Sequence, residues 1–217
     1  RSYSVTGVQT CALPILYEVL LNKKSEIDNS DILHRLGLVY GKYILVSAHR
    51  EENINSKNFS DLVDTINAIA EMYELPIIIS THPRTRKMIE DKDIRFHSLI
   101  KTLKPLGFID YNKLQMESKC VLSDSGTVSE ESSILKFKAL NIRVAHERPE
   151  AMEEAAVMMV GIQKNKVLLG MNELLNNHVN IGTPTDYQIK NVSDKIVRII
   201  ISYINYINEK EIGRAHV

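Results

Sequence analysis

Cysteine is scarce in this chain of 217 residues: only Cys11 and Cys120 occur. Neither has a second Cys or a His at ligand spacing, which excludes a disulfide framework and argues against a zinc site. Long apolar runs are also missing, none approaching the roughly 20 residues of a membrane span. Nor is there an excess of charge of one sign, since Lys+Arg 27 balance Asp+Glu 27. A neutral chain carries no electrostatic footprint for nucleic acid or an anionic membrane surface. The sequence lacks the Gly-Lys-Ser/Thr of a P-loop, a GxGxxG turn, an internal repeat and any low-complexity tract. What is present is ordinary globular composition, 44% hydrophobic and 25% charged. The length suits one good core and is short for two complete α/β domains. The expectation is one cytoplasmic domain.

The two ends read differently from the middle. Residues 1–15 have no hydrophobic period of their own, and 211–217 break a helical pattern abruptly. Thr10 to Ile15 can be encoded ACG TGT GCT CTT CCG ATC, and the reverse complement of that string, read one base over, encodes Ile212-Gly-Arg-Ala-His-Val217. Both ends resemble translated sequencing adapter, so 1–15 and 211–217 are expected to be non-native. Residues 16–210 are then the genuine domain, with a natural N-terminal portion missing.

Between those ends, apolar strands alternate with amphipathic helices. Leu16 to Leu36 suggests two short helices broken at Asp28-Asn29-Ser30-Asp31. Tyr43–Ala48 and Leu75–Ser80 are continuous apolar runs of the kind buried on both faces of a parallel sheet. Helical spacing recurs from Asn58 to Tyr73, and a short helix is predicted over Thr85–Asp91. A strand follows over Ile94–His97, then a loop over Leu103–Phe108 and a helix over Tyr111–Ser118. Val121-Leu122, Ala139–Ile142 and Val157–Gly161 are further strands, and Lys164–Asn176 and Ser193–Asn208 further helices. Short loops joining alternating strands and helices predict an α/β fold with a Rossmann-like parallel sheet and helices on both faces.

The stretch Val121 to Glu150 carries the clearest chemistry. A strand, the small polar turn Asp124-Ser125-Gly126-Thr127 and a helix opening on Glu130 and Glu131 form an anion cradle of backbone N–H groups. Glu131 lies about one turn into that helix, on the side of the turn, where a carboxylate can accept from a ribose diol. The alternative is plain helix capping, which the same residues also serve. His49-Arg50-Glu51-Glu52 and His82-Pro83-Arg84 follow two buried strands, where parallel sheets gather ligand contacts. Both also suit solvated strand-to-helix loops. The cluster at Arg148 is either a substrate contact beyond the next strand or a surface ion-pair group.

Taken together, VSAHREEN, STHPRTRK, KPLGFIDYNKLQ, LSDSGTVSEESS and AHERPEAMEE resemble the C-terminal half of the non-hydrolysing UDP-N-acetylglucosamine 2-epimerase family, in motif order, from Leu16 to Lys210. Their wording is most similar to the UDP-N-acetyl-L-fucosamine synthase branch, a UDP-2-acetamido-2,6-dideoxy-L-talose 2-epimerase of capsule and O-antigen pathways. The resemblance implies one half of a glycosyltransferase-B type fold, with substrate held between two Rossmann-like halves.

Residue by residue, it implies that His49 is catalytic and that Arg50, His82 and Arg84 line the nucleotide side. It makes Ser125, Gly126 and Thr127 the phosphate turn, Glu131 the ribose ligand and Arg148 a substrate contact. Leu106 and Tyr111 fall where the family lines its uracil pocket. Two residues depart from the family: Thr127 stands in for the second Gly of a Ser-Gly-Gly turn, and Glu51 for a second Arg. The implied chemistry is inversion at C2 by elimination and re-addition of UDP, with no metal and no cofactor. The partner is a UDP-sugar, and the full-length enzyme is expected to be a homodimer. The acid and base carboxylates belong to the other half, so this chain is expected to be inactive alone. The competing reading is the donor-binding domain of a UDP-sugar glycosyltransferase.

Overall fold

A computed structural model of the chain describes residues 6–48, 56–81, 83–91, 94–143, 157–177 and 182–214. The chain divides into two compact units, Lys23–Pro184 and the pair Arg1–Asn22 with Thr185–Val217. Helix α1 (Thr6–Asp28) passes from the smaller unit into the larger.

The larger unit continues with α2 (Ile32–Leu36), β1 (Ile44–Ser47), α3 (Ser56–Tyr73), β2 (Ile77–Ser80) and α4 (Pro83–Asp91). Then come β3 (Ile100–Leu103), α5 (Phe108–Glu117), β4 (Cys120–Ser123), α6 (Val128–Leu135), β5 (Ala139–Asn141), β6 (Met158–Met159) and α7 (Lys164–Asn176). Among the described residues the strands form one sheet in the order β3-β2-β1-β4-β5-β6, and each pairing is parallel. That is the Rossmann-like order, and the chain reverses its direction across the sheet between β1 and β4. Ligands of open α/β sheets collect at the carboxyl ends of the strands on either side of such a reversal.

The continuous apolar runs explain the two covered faces. All four residues of β1, β2 and β4 are buried. Ile44, Val46, Ile77, Ile79, Cys120 and Leu122 pack into one cluster with Leu62, Ile66 and Ile69 of α3 and Val167 and Met171 of α7. Each such side chain contributes about 1.5–3 kcal/mol by leaving water. Because side chains alternate along a strand, Leu45 and Ser47 of β1 face the opposite side, in register with Val121 and Ser123 of β4. Leu114 of α5 and Val128 of α6 are fully buried as well. Burial raises the Cys120 thiol to about 12, so it acts as a small core hydrophobe.

One strand differs from the expectation. Residues 94–97 form no strand, and the edge strand β3 occupies Ile100–Leu103, between the expected strand and the expected loop and overlapping that loop only at Leu103. Asn67 of α3 takes the backbone groups that a ladder at 94–97 would use. Its Oδ1 accepts from the His97 N–H at 2.9 Å and its Nδ2 donates to the Arg95 carbonyl at 3.3 Å. Such side-chain bonds to backbone compete with sheet pairing. The polar Lys101 and Thr102 are tolerated in β3 because both are exposed on the sheet edge. The helix expected at Tyr111–Ser118 starts three residues earlier, at Phe108.

In the smaller unit, a 3-10 turn (Thr185–Gln188) precedes α8 (Val192–Arg214). The Glu18 carboxylate of α1 caps α8, accepting from the Val192 and Ser193 N–H groups and from the Ser193 hydroxyl. The Ser193 bond is the first cause of a lowered Glu18 pKa. Val197, Ile200, Ile201 and Ile204 form an exposed apolar stripe on α8. Helix α1 runs through residue 15 and α8 through residue 211, the two points where non-native sequence is expected to meet the genuine domain. Among the described residues no helix is long and apolar enough to cross a membrane.

Candidate ribose and phosphate site

Strand β4 ends at Ser123 beside Ser47, the last residue of β1. The Asp124 N–H then donates to the Ser47 carbonyl at 3.1 Å, holding the turn against the switch point of the sheet. Ser123 Oγ accepts the Ser125 N–H at 3.1 Å, and Ser125 Oγ accepts the Thr127 N–H at 3.2 Å. These two local bonds shape the turn that delivers the chain into α6.

Thr127 is the N-cap residue of α6, yet its side chain caps no backbone group of the helix. Its hydroxyl donates instead to Glu131 Oε1 at 2.6 Å, one turn on. A threonine hydroxyl has a single proton and a carboxylate only accepts. In the 2.9 Å contact between Ser125 Oγ and Thr127 Oγ1, Ser125 is therefore the donor. The result is a directed chain from Ser125 through Thr127 to Glu131. The first N–H groups of α6, lacking intrahelical acceptors, remain without a threonine cap at the positive end of the helix dipole.

The second carboxylate oxygen of Glu131 is also engaged. Gln115 Nε2 of α5 donates to Oε2 at 2.7 Å. Carboxylate chemistry fixes the amide orientation, because only the NH2 side of Gln115 can face it. Gln115 is 1% exposed, and its Oε1 has no hydrogen-bond partner among the described residues. A buried acceptor left in that state costs about 1–3 kcal/mol. Helix α5 is held in place by the Tyr43 hydroxyl, which donates to the Leu114 carbonyl at 2.7 Å. Ser30 and Arg35 reinforce it, each donating to Asp110 at 2.6 Å.

Tyr111, one turn before Gln115, completes the cluster. Its pKa is pushed up to about 12, first by burial, with the Glu131 and Asp124 carboxylates adding to the rise and a side-chain hydrogen bond with Ser47 opposing it. Tyr111 is therefore a neutral phenol below that range. Tyr111, Ser125, Thr127 and Glu131 are thus brought together. Gly126 sits in the same turn, and Leu106 is half-buried in the loop before α5. Arg84 is the second residue of α4. His49, Arg50, His82 and Arg148 lie outside the described residues. Gln115 and Ser47 belong to the cluster but are not singled out by sequence. The available signal for Gln115 is its i+4 spacing from Tyr111 on one helix.

A carboxylate with spare acceptor capacity can take hydrogen bonds from a diol, and the uncapped N–H groups at a helix start can donate to an anion. The sequence profile of the UDP-N-acetylglucosamine 2-epimerase family matches residues 11–201. The chain belongs to that family. It is 33% identical over 163 residues to a UDP-N-acetylglucosamine 2-epimerase of Methanocaldococcus jannaschii, covering 73% of this chain and 44% of that protein. A solved UDP-N-acetylglucosamine 2-epimerase of Rickettsia bellii superposes with a TM-score of 0.80 at 41% identity, covering 89% of this chain and 53% of that one. The M. jannaschii epimerase solved in complex with UDP-GlcNAc and UDP superposes at 0.75 with 28% identity, covering 86% and 52%. The chain thus spans about half the length of these relatives.

Proposed function

We propose that the chain is the UDP-holding half of a UDP-N-acetylhexosamine 2-epimerase. The observation that carries this reading is the Ser125-Thr127-Glu131 hydrogen-bond chain at the switch point of the sheet, directly before the N-terminus of α6. In this reading the turn and the first N–H groups of α6 receive the diphosphate, and Glu131 receives the ribose diol. Leu106 and Tyr111 border the uracil. His49 acts nearest the sugar and diphosphate, Arg148 on the substrate side of the same cleft, and Arg50, His82 and Arg84 on its nucleotide side.

The reaction proposed is inversion at C2. The C2 proton is removed, the C1–O bond to UDP breaks to leave a glycal-like intermediate, and UDP re-adds after C2 is reprotonated on the other face. UDP leaves with an extra negative charge on its diphosphate. A helix N-terminus therefore stabilises the departed group more than the bound sugar nucleotide, which is the differential that accelerates the step. The carboxylates that move the C2 proton come from a second domain outside this chain, so the chain binds UDP without turnover. The particular substrate proposed is UDP-2-acetamido-2,6-dideoxy-L-talose, on the route to UDP-N-acetyl-L-fucosamine for capsule or O-antigen, in a homodimeric full-length enzyme.

The test is a proton NMR assay of a full-length version. Formation of the C2 epimer from the UDP-sugar alone, with solvent deuterium entering C2, supports the reading. A requirement for an acceptor would assign the chain to the glycosyltransferases instead.

A further inference from the structure

The amide of Gln115 stands out among the residues that the epimerase reading leaves without a role. Its side chain is buried, its Nε2 donates to Glu131 Oε2 at 2.7 Å, and its Oε1 finds no partner among the described residues. The orphaned Oε1 costs about 1–3 kcal/mol, about as much as the charge-assisted bond from Nε2 contributes, so the amide adds little net stability. Its presence therefore calls for a reason other than folding stability. That reason lies in the carboxylate it touches. Glu131 Oε2 is held by Gln115 from α5, and Glu131 Oε1 by Thr127 from its own helix. A carboxylate offers about four acceptor positions. One position on each oxygen is occupied by the protein, so the plane of the group is fixed, and among the described residues nothing takes the further position on each oxygen.

We propose that Gln115 is a positioning residue that, with Thr127, fixes the Glu131 carboxylate so that its two remaining acceptor positions receive the vicinal diol of a ribose. This rests on the UDP reading above and extends it to a residue that touches no ligand. Preorganisation of this kind raises affinity by removing the ordering penalty at binding. The benefit is confined to ligands that use both hydroxyls. The rigid seat of α5, pinned through the Tyr43 bond to the Leu114 carbonyl adjacent to Gln115, lets the amide act as a fixed reference rather than a mobile partner.

The experiment is calorimetric titration of the 217-residue chain with UDP and with 2′,3′-dideoxyuridine diphosphate, for wild type, Gln115→Met, Glu131→Gln and the double variant. Thermal melts run alongside. Gln115→Met is expected to weaken UDP about tenfold, to leave the dideoxy ligand unchanged and to leave Tm near the wild-type value. In the Glu131→Gln background the same change is expected to have no further effect, because both act through one group. Equal weakening of both ligands, or no weakening of UDP, overturns the positioning role while the UDP reading stands. Failure of the wild-type chain to bind UDP overturns both.

Discussion

The hydroxyl of Thr127 lies 2.6 Å from Glu131 Oε1, so the residue that starts helix α6 spends its side chain on a carboxylate one turn away. Removing either end of that contact separates ribose recognition from phosphate recognition. Glu131→Gln is expected to weaken UDP by roughly 2 kcal/mol, about thirtyfold, the range for charge-assisted hydrogen bonds. Inorganic diphosphate binding should change less than twofold. Thr127→Val, which keeps the shape and deletes the proton, should weaken UDP several-fold. Calorimetry on the two variants with both ligands checks this, and equal losses for UDP and diphosphate would contradict the assignment of Glu131 to the ribose.

Tyr111 makes the site sensitive to alkali. Its pKa is raised from 10.0 to about 12, with burial as the first cause. The sign follows from linkage: the folded state keeps its proton where the unfolded state has lost it. Stability is therefore fully present below pH 10 and declines as pH rises from about 10 towards 12, by up to about 2–3 kcal/mol from this group. Tyr43, raised further by burial, adds to the same decline. Denaturant melts across this range should flatten in Tyr111→Phe. Phenolate absorbance should show one fewer late-titrating tyrosine, and an unchanged profile would contradict the shift.

Gly170 of α7 reports on helix-to-sheet packing. A Cβ built there would lie 2.6 Å from Val160 Cγ1 and 3.4 Å from Leu140 Cδ1. Val160 is stiff at χ1 and has little room to yield. Alanine gains up to about 1 kcal/mol in helix propensity over glycine, while overpacking costs about 1–3 kcal/mol. Gly170→Ala should therefore be neutral to about 2 kcal/mol less stable in a urea titration. A clear stabilisation would mean that α7 lies farther from the sheet.

The contrast between β1 and β3 shows what the sequence made legible. β1, β2 and β4 are buried on both faces, so their apolar runs announce strands directly. β3 pairs along one edge only, with Lys101 and Thr102 exposed, and its residues carry no comparable pattern. The neighbouring Ile94–His97 is apolar enough to suggest a strand, but Asn67, distant in sequence, takes its backbone groups. The turn before α6 was legible because Ser125, Thr127 and Glu131 lie within seven residues on one local unit. Gln115 was not, since a polar residue on an amphipathic helix normally faces water. Its bond to Glu131 appears only when α5 is laid beside α6.

The central claim is that this chain holds UDP through its ribose and diphosphate together, and the direct measurement is calorimetric titration of the chain with UDP against inorganic diphosphate. Saturable UDP binding is expected, with a Kd below about 1 mM and at least tenfold tighter than diphosphate. Absence of UDP binding, or equal affinity for the two ligands, would contradict it.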